Sequence, residues 1–218
     1  MNVALNVSRV ERERVSISAP GRTLSGELAY PADREPAGAV LLVPPHPHMG
    51  GTMENNIIRE LARLLADRYL TLRFDYASRP HDLVRSLAAF WATSRAPDEP
   101  ELIEDAAAAL AFLRDAGGSD VKRIGYSFGA FAASQLDCGG PLVLISPTLA
   151  QHELDLGDAR ALVIYSDNDF ATPASITEHW CDERALPRRC HAGADHFFTG
   201  CEPLMAEQVH CFFEGGAS

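Results

Sequence analysis

Basic residues are scarce in this chain. Lysine and arginine together number 19 against 30 aspartates and glutamates, a net charge of −11 with histidine neutral. Nucleic acids and anionic membranes are bound by clustered Lys and Arg, so this balance argues against both as partners. Long apolar runs are missing too. Met1 to Glu13 holds none of signal-peptide length, and no segment reaches the roughly 20 residues of a membrane span, so a cytoplasmic location is expected. The cysteines (Cys138, Cys181, Cys190, Cys201 and Cys211) are odd in number and form no C-x-x-C pair, the usage of reduced structural thiols. Cys190-His191 and His46-Pro47-His48 put metal-binding types side by side, but neither has a ligand spacing, and no metal is expected. Repeats, low-complexity tracts and linkers are absent as well. With 46% hydrophobic residues there is enough apolar material for one core, so residues 1–218 are read as a single domain.

What is present alternates between two periodicities. Val15, Ile17 and Ala19, then Leu24, Gly26, Leu28 and Tyr30, alternate about Pro20-Gly21 and predict an antiparallel hairpin. Ala39 to Val43 is continuously apolar and closed by Pro44-Pro45, the pattern of a strand covered on both faces. Ile57, Ile58, Leu61, Leu64 and Leu65 fall on one helical face, and Leu70 to Phe74 returns to strand. Two further stripes follow, Leu83, Val84, Leu87 and Trp91, then Leu102, Ile103, Ala106, Leu110 and Leu113; Asp98 and Glu101 mark the start of the second and Gly117-Gly118 its end. Strands are then expected at Val121 to Tyr126, Leu142 to Ile145, Ala161 to Tyr165 and Arg188 to His191. Helices are expected at Phe128 to Leu136, Ala174 to Glu183 and Glu202 to Phe213. An initial hairpin followed by alternating strands and helices predicts an α/β fold with a mainly parallel, doubly wound sheet and helices on both faces.

The strand-to-helix junction Gly125-Tyr126-Ser127-Phe128-Gly129 has the G-x-S-x-G form of a nucleophile elbow, in which a sharp turn exposes a serine at the edge of the sheet. In open parallel sheets catalytic groups collect at the carboxyl ends of strands. Three such ends are polar here: His46 to Thr52, Ser166 to Phe170, and Asp195 to Phe198. Ser127, Asp169 and His196 then run in the order nucleophile, acid, base. Serine is a poor nucleophile at its own pKa, so a neutral imidazole must take its proton, and a buried carboxylate must hold the imidazolium that forms. Asp169 is preferred over Asp167, which follows Tyr165 too closely to turn back. His196 is preferred over His191, which falls within the predicted strand. The oxyanion needs N–H donors, expected from Phe128 and, since Pro47 has no N–H, from His48. Residues 76–100 leave the same sheet edge and are expected to form a small cap or pocket wall, with core packing of the helix as the alternative. Phe90 and Trp91, adjacent and unable to share one face, join Tyr126 and Phe170 as pocket candidates.

The sequence resembles the small α/β-hydrolases related to dienelactone hydrolases. The resemblance rests on His46-Pro47-His48 with Gly50-Gly51-Thr52-Met53 and Asn55-Asn56, on Leu72-Arg73-Phe74-Asp75, on the serine pentapeptide, and on Asp195-His196-Phe197-Phe198. It covers nearly the whole chain from Val15. It implies a serine hydrolase without cofactor, acting on a small acyl substrate such as an ester, thioester or activated amide. An acyltransferase, a lyase or cyclase on the same scaffold, and a non-catalytic binding protein remain alternatives, and oligomeric state is open. The chain departs from that family at Asp75-Tyr76-Ala77-Ser78-Arg79-Pro80, where relatives carry an arginine-glycine loop.

Overall fold

A computed structural model describes residues 9–78, 80–93, 99–118 and 120–215. The hairpin is β1 (Val10–Ala19) and β2 (Arg22–Pro31), turned at Gly21 with φ 71°. There follow β3 (Ala39–Val43), a 3₁₀ turn (Pro47–Met49), α1 (Asn56–Leu65), β4 (Leu70–Asp75), α2 (Leu83–Thr93), α3 (Glu99–Asp115), β5 (Val121–Tyr126), α4 (Phe128–Ser134), β6 (Leu142–Ile145), β7 (Ala161–Asn168), α5 (Ala174–Glu183), β8 (Arg188–Asp195) and α6 (Glu202–Phe213). The described strands form one sheet in the order β1-β2-β4-β3-β5-β6-β7-β8. The β1–β2 and β2–β4 pairings are antiparallel and the rest parallel.

Apolar residues on successive strand positions feed two cores, one on each face. Leu41, Val43, Leu72 and Leu144 point to the side covered by α3 and α4, while Val40, Leu42, Ile124 and Ile145 point to the side covered by α1 and α6. This is why β3 and β6 are apolar at every position: both faces are roofed. The Asn55 side chain accepts the Ile57 N–H and caps α1. At the other end of α3, Gly117 takes φ 109° and Gly118 N–H bonds to Leu113 O, satisfying a carbonyl left over by the helix. Asp98, the expected start of α3, lies outside the described residues. Lys122, the single lysine of the chain, is buried; its ammonium sits 3.1 Å from Asp120 Oδ2 and over the Tyr69 ring at 5.2 Å.

The structure differs from the sequence reading in one place that matters for the site. β7 and β8 run further than expected, to Asn168 and Asp195, past an irregularity in register between Ser166 and Asn168. Polar residues that read as loop are strand here because each finds a partner across the gap; Gly193 N–H, for example, donates to Asp167 Oδ1 at 2.7 Å. Asp167 is therefore in the strand and Asp169 just past its end. The expected cap segment contains α2, which buries none of its residues. α2 lies across the carboxyl edge, with Ser86 Oγ 2.9 Å from His48 Nδ1. Residue 79 and residues 94–98 of the predicted cap segment lie outside the described residues. Among the described residues no helix is long and apolar enough to cross a membrane.

The backbone at the end of β5 leaves no room for side chains. A Cβ on Gly125 would lie 2.1 Å from Gly129 O, and one on Gly129 would lie 2.2 Å from Val43 O. Both obstacles are backbone, so relief requires moving β3 or α4. Gly129→Ala is expected to cost roughly 3 kcal/mol or more of folding stability, read from urea unfolding. A loss below about 1 kcal/mol would show that the two segments separate easily.

Candidate active site

Ser127 sits at φ 57° and ψ −123°, a strained region for a residue with a Cβ, and heads α4 without capping it. Its N–H is held by Ile145 O at 2.8 Å, so the strain is stored by the end of β6. The turn lifts the hydroxyl off the sheet toward the loop after β8. There His196 Nε2 lies 3.1 Å from Ser127 Oγ, and His196 Nδ1 lies 2.9 Å from each Asp169 carboxylate oxygen. An ionised carboxylate only accepts, so Nδ1 carries the proton and Nε2 is left as the acceptor for the Ser127 hydroxyl. The tautomer is thus set by Asp169. The carboxylate is itself positioned by the Ala171 N–H at 2.8 Å and the Thr172 N–H at 3.2 Å, both reaching Oδ1.

Electrostatics follow from this packing. Burial alone would raise the Asp169 carboxyl pKa, but the hydrogen bond and charge of His196, with help from Ser146 and the Ala171 N–H, outweigh it and hold the pKa below the ordinary carboxylate value. Tyr126, the residue before the serine, is buried, and desolvation pushes its phenol pKa well up. It stays protonated and donates to His196 O at 2.9 Å, anchoring the loop that carries the imidazole. His191 is elsewhere: it lies on β8 with Nε2 2.9 Å from Gln208 Oε1.

A cleft of about 420 Å³ opens above Ser127. All four pocket candidates, Tyr126, Phe90, Trp91 and Phe170, line it. Phe128 lines it too, and as the first residue of α4 its N–H has no acceptor within the helix. The expectation for His48 needs correction. Its N–H is directed at His46 Nδ1 at 3.1 Å, its ring is engaged by Ser78 at 3.4 Å and Ser86 at 2.9 Å, and it does not line the cleft. His46 captures the amide because the 3₁₀ turn folds back on the residue that caps it: the Met49 and Gly51 N–H groups also turn inward, to His46 O. Arg73 and Asp75 hold the next stretch in place, Arg73 through Met53 O at 2.8 Å and Glu54 at 2.9 Å, Asp75 through the Met53 N–H at 2.8 Å.

Sequence reasoning missed the far end of the cleft. His152, stacked on Phe131 at 4.3 Å, accepts or donates through Nδ1 to Thr148 Oγ1 at 2.8 Å and lies 3.3 Å from Glu99 through Nε2. The available signal was the polar run Ser146-Pro147-Thr148 at the carboxyl end of β6, a fourth strand end. Among the described residues no cluster of three or more His, Cys, Asp or Glu side chains is arranged to hold a metal ion, and all five cysteines are free thiols.

The sheet order, the antiparallel hairpin at one edge and the serine turn after β5 together define the α/β-hydrolase fold. Solved structures agree with this at the level of fold. A protein of unknown function from Agrobacterium tumefaciens superposes with TM-score 0.77 at 22% identity, covering 93% of this chain and 97% of that one. A serine hydrolase homologue from Coxiella burnetii gives 0.73 at 21% identity, with 94% and 97% covered. A serine hydrolase from Xanthomonas campestris described as lacking a lid gives 0.73 at 19% identity, with 92% of each chain covered. No family model and no curated protein matches the sequence.

Because the folded Asp169 pKa is depressed, its contribution to stability is present above the unfolded value, about 3.9, and is lost as pH falls through the lower folded value. Asp169→Asn should therefore be less stable than wild type at neutral pH. The gap should close below about pH 4, as followed by denaturant unfolding across pH. A gap that widens there would assign the stabilisation to another group.

Proposed function

We propose that this protein is a serine hydrolase that cleaves a carboxylic ester or thioester through an acyl-enzyme on Ser127 and needs no cofactor. The observation that carries the reading is the unbroken hydrogen-bond series from Ser127 Oγ through His196 to Asp169, with the serine opening into an apolar-walled cleft. Ser127 Oγ attacks the carbonyl carbon while His196 Nε2 takes its proton. The oxyanion that forms is stabilised by the Phe128 N–H at the start of α4, aided by the positive end of the helix. On collapse the bond to the leaving oxygen or sulfur breaks, and that atom takes the proton from His196. Water then repeats the sequence and frees the acid. Asp169 stays ionised throughout, holding the ring and stabilising the imidazolium. The net charge of −11 suits a neutral or cationic small molecule, and the cytoplasm is the proposed location.

Ser127→Ala should lower kcat on a chromogenic acyl ester by about four to six powers of ten and abolish labelling by a fluorophosphonate, with circular dichroism unchanged. A folded variant within about tenfold of wild type would exclude the covalent route. Asp169→Asn should cost about 10⁴ in kcat, as a wrong imidazole tautomer does. Asp167→Asn should stay within about threefold, since Asp167 only holds the exposed Gly193 amide. The reverse ranking would move the acid role to Asp167.

A further inference from the structure

The two ends of the cleft are chemically unlike. Beside His196 lies a shelf of three aromatic rings. Phe170 stands 4.9 Å from the imidazole, Phe197 5.7 Å from it and 5.7 Å from Phe170, and Trp91 6.1 Å from Phe170. Their exposures are 54%, 50% and 60%. Large rings so exposed and contiguous leave an apolar patch that water covers poorly. Past the Phe128 ring, 5.7 Å from it, stands His152 with Thr148 and Glu99, while Gln151 bonds to Ala171 O at 3.3 Å beside Phe170. These groups bond one another, Thr148 Oγ1 to His152 Nδ1 and His152 Nε2 to Glu99, and a substituent with a hydrogen-bonding group can join that series where an alkyl chain cannot.

The chemistry decides which part of a substrate meets which end. The leaving atom must come within hydrogen-bond reach of His196 Nε2 to collect its proton, so the group attached to it departs over the imidazole, where the rings are. The carbonyl oxygen is directed to the Phe128 N–H. The remaining substituent of the carbon, the acyl chain, then extends past Phe128 toward His152 and Glu99. Phe90 and Trp91, neighbours on α2, link the two: their rings meet edge to face at 5.8 Å, Trp91 joining the shelf and Phe90 reaching 6.3 Å from His46 on the Phe128 side.

Resting on the serine-hydrolase reading, we propose the substrate class: an ester or thioester with a flat, aromatic leaving group and a short acyl group that carries a hydroxyl or other hydrogen-bonding substituent. Phe170, Phe197 and Trp91 bind the departing alcohol or thiol, and Glu99 with His152 selects the acyl group. The covalent steps are those already described, with water as the only co-reactant.

The test uses esters whose alcohols leave about equally well, so that binding alone is compared. With acetate fixed, kcat/KM for benzyl and 2-naphthylmethyl esters should exceed that for the ethyl ester by about tenfold or more. Trp91→Ala and Phe170→Ala should each cut that ratio about threefold to tenfold, chiefly through KM. Both side chains are half exposed or more, so folding should survive. With the benzyl group fixed, 3-hydroxybutanoate should be preferred over its isostere 3-methylbutanoate, and Glu99→Gln should shrink that preference without altering the benzyl-to-ethyl ratio. An unchanged benzyl-to-ethyl ratio in both ring variants overturns the proposal. So does an aromatic preference that follows the acyl side, seen with ethyl phenylacetate against ethyl acetate. Fluorophosphonate labelling of wild-type Ser127 separates the two levels of failure. Labelled, active enzyme with unshifted ratios discards the substrate class and leaves the hydrolase standing; no labelling and no turnover of any ester discards both.

Discussion

The site depends on two peptide segments passing closer than any side chain allows. Gly129 reaches the carbonyl of Val43, and Gly125 reaches that of Gly129. That contact locks α4 against the end of β3 and forces Ser127 into a backbone conformation it would not choose. Three consequences follow from one constraint. The hydroxyl stands clear of the sheet, Phe128 begins α4 beside it with an N–H that has no acceptor within the helix, and the loop after β3 lines the same cleft. Looser packing would leave the serine an ordinary turn residue.

A second layer of order comes from polar groups that are fully occupied. Asp169 is held by two backbone amides before it touches His196, and the carbonyl of His196 is held by Tyr126. The imidazole is thus fixed from both sides by residues adjacent to the other two members of the series: Tyr126 precedes Ser127, and Ala171 and Thr172 follow Asp169. Hydrogen bonds of this kind are individually modest, about 1 kcal/mol net, yet together they leave the ring little freedom to rotate away.

How much of this was legible in the sequence depended on whether the signal was local. The serine pentapeptide, the apolar central strands and the helix stripes each carry their meaning within a few residues, and the structure has them within a residue or two of the expected bounds. Asp169 and His196 were legible because the ends of parallel strands converge. The extension of β7 and β8 was not, since Asp167, Asn168 and Asp195 look like loop until their partners are known. His48 failed for a related reason: a loop amide reads as available when the imidazole two residues before it is not seen folding back. The Glu99–His152 pair joins residues 53 apart along the chain and had no pattern to announce it.

Lys122 has a consequence of its own. It is the chain's one lysine and it is buried, its amine shared between a carboxylate and two aromatic faces. Basic charge elsewhere is carried by arginine, whose guanidinium is a far weaker nucleophile at neutral pH because it stays protonated. On the proposed serine-hydrolase reading, activated acyl groups at an open cleft would threaten the surface amines of the protein itself. Here that surface offers no lysine amine to acylate.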